Sequence, residues 1–305
     1  MWVSLVVVLV AIVGGTLALR FLKYETQLLL GSAMESLKLC HLLYIRSRRP
    51  KRIILMRHAE SEGNLNKRIY TSTPDHALKI TERGRQQAVE AGMKLKELIG
   101  DENVYFIVSP YTRTRMTYEI VKDTLGPTEW GSKEDPRLRE LDFGNFQDYD
   151  TMQETMEIRK AYGRFWYRFM NGESGADVYD RATAFWESVF RSMDNTSDKR
   201  YQNYVIVTHG LMMRLILMRY FQWKVEFFES VWNPDNCEMW IMERNKRGGF
   251  RLVTDIFGSP DVSAAKGKEA DVKGLGALGD ELSEEVTGEQ PPVLSGRSCS
   301  GVSME

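Results

Sequence analysis

Two short apolar runs in this chain end in the same way. RIILMR, residues 52–57, runs into His58 and the small Ala59, and YVIVT, residues 204–208, runs into His209 and Gly210. Runs this short, rich in Ile and Val and without polar alternation, read as strands buried on both faces, which is what a parallel sheet covered by helices requires. Helical patterns lie between them. Thr81 stands in capping position before a segment to Leu98 that places Ala88, Ala91, Leu95 and Leu98 on one face. VYFIVS, residues 104–109, is a further strand, followed by Pro110 and a helix over 111–125. Helices are also expected over 151–169, 178–193 and 211–221, and strands over 237–244 and 250–256 as a hairpin turning through Asn245–Gly249. The expected fold is α/β, a three-layer α/β/α domain over 51–257 with a mostly parallel central sheet.

In such a sheet, ligands bind outside the carboxyl ends of the strands. That rule puts His58 and His209 on one rim, with Arg57 beside the first and Arg113 a few residues beyond the third strand. Two histidines and two arginines make an anion site. A phosphoryl group in transfer spreads charge over three oxygens, and arginine's planar fork grips two of them at once. A neutral imidazole at His58 can attack phosphorus and become phosphohistidine, while Arg57, Arg113 and a protonated His209 hold the charge. An alkoxide leaving group then needs a proton from a carboxylic acid whose pKa is raised. Metal chemistry is not expected, because HxH, HExxH and carboxylate clusters at ligand spacing are lacking. No cofactor is expected either, since neither a P-loop nor GxGxxG occurs. With 41 Lys and Arg against 42 Asp and Glu, no net field favours nucleic acid.

The two ends differ from the middle. Trp2–Leu19, WVSLVVVLVAIVGGTLAL, is uncharged and close to the roughly 20 residues that cross a bilayer as a helix, so residues 1–22 read as a transmembrane anchor. A cleaved secretory signal would carry a positive start, which is lacking. Arg20, Lys23 and the cluster from Arg46 to Arg52 follow the apolar run, so the positive-inside rule expects a single pass with the domain facing the cytosol. Cys40, Cys237 and Cys299, odd in number and without CxxC spacing, fit a reducing compartment. Residues 23–50 carry Leu29, Leu30, Ala33, Met34 and Leu37 before the basic cluster. They read as an amphipathic juxtamembrane helix lying on anionic lipid or packed on the domain. Residues 258–305, rich in Gly, Ser, Pro and acidic side chains, are expected to be a disordered tail. Asn195-Thr196-Ser197 is the one glycosylation sequon, and glycan there would contradict a cytosolic domain.

The middle of the chain resembles the histidine phosphatase superfamily, the phosphoglycerate mutase-like group. Arg57-His58-Ala59-Glu60-Ser61 with Asn64 resembles its RHGES…N signature, and LKITERGRQQA, SPYTRTRMT, LRELDFGNFQ, MNGESGADV and VIVTHG resemble five further motifs in order. The wording of YTSTPDH and GRFWYRFMNGESGADVYDR is similar to the plant and fungal phosphoglycerate mutase-like and broad-range acid phosphatase-like subgroup. The resemblance implies a phosphatase of the branch 1 type acting on a small phosphorylated substrate. It makes His58 the nucleophile, Glu140 the proton donor, and Arg57, Arg113 and His209 the phosphate pocket. Asn64, Glu173, Ser174 and Gly210 become substrate-binding positions. Ala59 stands where glycine is commonest, and Asn145-Phe146-Gln147-Asp148 departs from the family's usual wording at the pocket lip. True mutases carry Arg-His-Tyr-Gly after the acid, where this chain has Leu141-Asp142-Phe143-Gly144, so hydrolysis is favoured over mutase transfer. A non-catalytic membrane-tethered module is the third reading, and it would be expected to lack one of these side chains.

Overall fold

In a computed structural model, residues 2–127, 130–144, 148–194 and 201–256 are described. Residues 128–129, 145–147, 195–200 and 257–305 lie outside the described residues, and with them Asn195 and the expected tail.

Six strands form one sheet in the order β3-β2-β4-β1-β5-β6. They are β1 Arg52–Arg57, β2 Val104–Val108, β3 Trp130–Glu134, β4 Asn203–Thr208, β5 Met239–Arg244 and β6 Phe250–Leu252. The first four in sheet order are parallel, and β5 and β6 run antiparallel at one edge. The register aligns Arg57 with Thr208 and Val108 with Val207, so the ends of β1, β2 and β4 stand level. β3 was not expected. WGSKE has no apolar run, and an edge strand bonded only to β2 leaves no hydrophobic signal in sequence.

Eight α-helices occur among the described residues: α1 Trp2–Ser47, α2 Glu62–Leu65, α3 Glu82–Ile99, α4 Thr112–Leu125, α5 Tyr149–Tyr162, α6 Gly175–Asp194, α7 Gly210–Phe221 and α8 Val225–Ser230. Alternation along β1 divides the core. Ile53 and Leu55 join residues of α6 and α7 in one apolar cluster, while Ile54 and Met56 join α3 and α4 in the other. That is the three-layer arrangement, with β1 fully buried over its four central residues. Local signals set the helix ends. Thr81 Oγ1 accepts from Gly84 N at 2.9 Å, capping α3. Gly84 has to be glycine, because a Cβ there would lie 2.3 Å from the Glu60 carbonyl. α5 stops at Tyr162 instead of continuing to 169. Gly163 takes φ 108°, and the chain then turns irregular to bury Phe165 and Phe169.

α1 is one continuous helix that runs through both the segment read as an anchor and the segment read as juxtamembrane. Over Val13–Ser47 it is long and apolar enough to cross a membrane. Leu22, Leu28, Leu29, Leu30, Leu37 and Leu39 are all exposed. Neighbouring residues on a helix sit about 100° apart, so these side chains spread over more than half of the circumference and form no single narrow face. From Val13 to Tyr44 every described side chain of α1 is exposed.

Candidate active site

The ends of β1, β2 and β4 deliver three polar side chains to one place. His58 follows β1, Ser109 follows β2, and His209 follows β4 and caps α7. The His58 N–H donates to the Thr208 carbonyl at 2.9 Å, extending the strand pairing by one residue. Its own carbonyl accepts from Asn236 Nδ2 at 3.0 Å. On the ring, Nδ1 lies 2.7 Å from the Ala59 carbonyl. A carbonyl can only accept, so Nδ1 carries the hydrogen and Nε2 holds the free lone pair.

His209 Nε2 lies 2.9 Å from Ser109 Oγ, and its Nδ1 is buried with no partner. The two imidazoles meet edge to face at 5.2 Å between centroids. Both are buried, and burial together with Arg113 pushes both well below the usual imidazole value. That direction favours the neutral form of His209, against the protonated form that the sequence reading expects. The positive charge comes from the guanidinium groups.

Arg57 donates from Nη1 to the Pro234 carbonyl at 2.6 Å, and its Nε is buried without a partner. Burial lowers its pKa, opposed by Glu140 and Asp235. Arg113, at the start of α4, is held by Asp75. Nη1 donates to the Asp75 carbonyl at 2.6 Å and to Oδ1 at 2.8 Å, and Nη2 donates to Oδ2 at 3.2 Å. The same guanidinium stacks on Tyr111, whose ring lies 4.9 Å from that of His209. Glu140 follows a 3₁₀ turn, Pro136–Leu138, and accepts from the Leu141 N–H at 3.0 Å. Burial raises its pKa; the Leu141 N–H and Arg113 pull the other way without cancelling it.

Beside this cluster opens a cleft of about 750 Å³. Arg57 and Asn64 line it, as do Lys67, Tyr70, Asp75 and Arg159. Through Asp75 and Tyr111 its wall touches Arg113 and His209, and through Leu141 it adjoins Glu140. Asn64 Oδ1 accepts from Ser61 N at 3.0 Å and from Asn236 Nδ2 at 3.3 Å, tying α2 to the strand carrying His58.

Three expected binding positions do not line the cleft. Glu173 is clamped by Arg181 at 2.9 Å and by Arg139, and accepts from the Asp142 N–H at 3.0 Å, so its carboxylate is spent on holding the loop after Glu140. Ser174 is buried and bonded to Asp177 at 2.6 Å, an N-cap for α6. Gly210 has no side chain, and its role is room: a Cβ there would lie 2.9 Å from Asn233, which does line the cleft. Sequence reading missed Lys67, Tyr70, Asp75, Tyr111 and Arg159. Of these, Tyr70 and Asp75 lay in YTSTPDH and Tyr111 in SPYTRTRMT, stretches singled out for their wording and not for these side chains.

A sequence profile described as the histidine phosphatase superfamily (branch 1) matches residues 53–255. The chain is 47% identical over 215 residues to the phosphoglycerate mutase-like protein AT74 of Arabidopsis thaliana, covering 67% of this chain and 68% of that one. It is 30% identical over 286 residues to the broad-range acid phosphatase DET1 of Saccharomyces cerevisiae, covering 64% of this chain and 86% of that one. A solved structure of mycobacterial glucosyl-3-phosphoglycerate phosphatase superposes with a TM-score of 0.54 at 19% identity, over 67% of this chain and 98% of that one, a likeness of fold. The match spans every strand but the first residue of β1, together with the rim residues described above, and this chain belongs to the histidine phosphatase superfamily, branch 1.

Proposed function

We propose that the protein hydrolyses small phosphomonoesters through a phosphohistidine on His58, at a domain tethered to a membrane by α1. The observation that carries this reading is the His58 ring itself. Its Nδ1 hydrogen is bound to the Ala59 carbonyl and its pKa is low, so a neutral Nε2 lone pair is ready to attack. In the first step Nε2 forms the P–N bond as the ester P–O bond breaks, and Glu140 gives its proton to the departing oxygen. In the second, the Glu140 carboxylate takes a proton from water, whose oxygen attacks phosphorus. The P–N bond breaks, phosphate leaves, and His58 and Glu140 return to their starting states. Arg57 and Arg113 supply the charge that the phosphoryl oxygens need throughout.

DET1, named a broad-range acid phosphatase, supports hydrolysis. The basic cluster behind α1 supports a domain on the cytosolic side. Turnover of p-nitrophenyl phosphate by the detergent-solubilised full chain is expected to vanish in His58→Ala. Activity unchanged by that substitution would overturn the mechanism.

A further inference from the structure

The place where α1 joins the domain bears on what the site can reach. α1 ends at Ser47, and the next residues are fastened down. Arg49 forks onto Asp194 with two bonds of 2.7 Å, reaches the Gly248 carbonyl at 3.2 Å, and stacks on Phe190. Arg244, the last residue of β5, bonds the Ser47 and Arg49 carbonyls. Lys51 N donates to the Gln202 carbonyl at 2.7 Å, and Arg244 N donates to the Lys51 carbonyl at 2.9 Å. Gly248, at φ 78°, lies so close that a Cβ would fall 2.4 Å from that of Arg46.

The foot of α1 is thus latched where β1 and β4 begin and where β5 and α6 end. The candidate site lies where β1, β2 and β4 end. β1 has six residues, so foot and site are separated by about 20 Å of sheet. The edge at the foot is also basic: Arg46, Arg48, Arg244, Lys246 and Arg247 have no carboxylate within ion-pair distance among the described residues.

We infer that the latch turns the cleft away from the membrane that holds α1. The site then serves phosphomonoesters dissolved in water, and the phosphorylated headgroups of the same bilayer lie out of its reach. This rests on the hydrolysis and tether readings above. It does not depend on where along α1 the bilayer begins, because α1 joins the domain at the foot, and any length of helix left outside adds reach between lipid and foot, about 1.5 Å per residue.

The test uses the full chain in phosphatidylcholine nanodiscs containing long-chain phosphatidic acid. Phosphate release from that embedded lipid is compared with release from water-soluble dihexanoyl phosphatidic acid and p-nitrophenyl phosphate. In parallel, a fluorophore is placed at Leu65→Cys on the site edge or at Arg247→Cys on the foot edge, in a Cys40→Ser, Cys299→Ser background, against a quencher on the lipid headgroups. The embedded lipid is expected to turn over at least a hundredfold more slowly than its dihexanoyl analogue. The probe at 65 is expected to be quenched less than the one at 247, or both to go unquenched. Embedded lipid hydrolysed within tenfold of the soluble analogue, or a probe at 65 quenched as much as or more than one quenched at 247, would overturn the inference. If p-nitrophenyl phosphate is not turned over, the hydrolysis reading fails while quenching still reads orientation. Failure of the chain to enter the discs overturns the tether and the inference with it.

Discussion

At the scale of single residues, the site works by keeping apart the protonation states of two kinds of group. Burial pushes the imidazoles down and the Glu140 carboxyl up, so the same enclosure leaves His58 with a free lone pair and Glu140 with a proton to give. Each preference suits one half of the proposed reaction. The donor's worth depends on the leaving group. Glu140→Gln removes the proton, and the loss should reach roughly 10²- to 10⁴-fold on an alkyl phosphate, whose alkoxide leaves poorly. On p-nitrophenyl phosphate, whose phenolate leaves well, the loss of the phosphorylation step should be at least tenfold smaller. Single-turnover rates on both substrates check this, and equal losses on the two would remove Glu140 from the donor role.

At the scale of elements, strand ends were legible in the sequence and irregular segments were not. β1 and β4 announce themselves as apolar runs that stop at histidines, and the level register of their ends makes the juxtaposition of His58 and His209 a matter of topology. The cleft wall is built from α2, two 3₁₀ turns at Lys67–Thr71 and Asp75–Ala77, and the partly exposed α5. The short α2 and the two 3₁₀ turns leave no periodic pattern, so Tyr70 and Asp75 could not be placed on the cleft from sequence. The Gly-Glu-Ser stretch was legible as a motif, but residue type and spacing do not show that Glu173 is bonded to Arg181 and Ser174 to Asp177 and that neither lines the cleft. The second 3₁₀ turn presents Asp75 to Arg113, where its carboxylate faces the same charge that phosphate must use. A like charge ~6 Å from a bound phosphate costs roughly 1 kcal/mol or more. Asp75→Asn keeps an acceptor for Arg113 and removes that charge, so inorganic phosphate should inhibit about fivefold more tightly. Weaker inhibition in the variant would mean that Asp75 orients Arg113 for phosphate instead of competing with it.

At the scale of the whole molecule, two neutral imidazoles in the core link stability to pH. Both are held well below the usual 6.5 in the folded state, so the unfolded chain takes up protons first as pH falls through that value, and stability is lost below it. Glu140, raised in the folded state, works in the opposite sense, one group against two. The net expectation is a loss of stability on acidification below pH 6.5. His209→Asn, which has no titrating ring, should flatten the slope. Urea unfolding at pH 7.0, 6.0 and 5.5 measures it; an unchanged slope in the variant would mean that the His209 ring titrates alike in the folded and unfolded chain, and a steeper one that it is charged in the folded state.

The account as a whole stands on a phosphoryl group passing through one nitrogen. Rapid acid-free quenching of the full chain during turnover, followed by peptide mass spectrometry, tests that directly. The predicted result is a phosphate, stable to base and labile to acid, on His58 within the peptide that follows β1, accumulating in Glu140→Gln when the substrate is p-nitrophenyl phosphate. Turnover with no phosphorylated protein in that variant, or phosphate on any residue other than His58, would contradict the account.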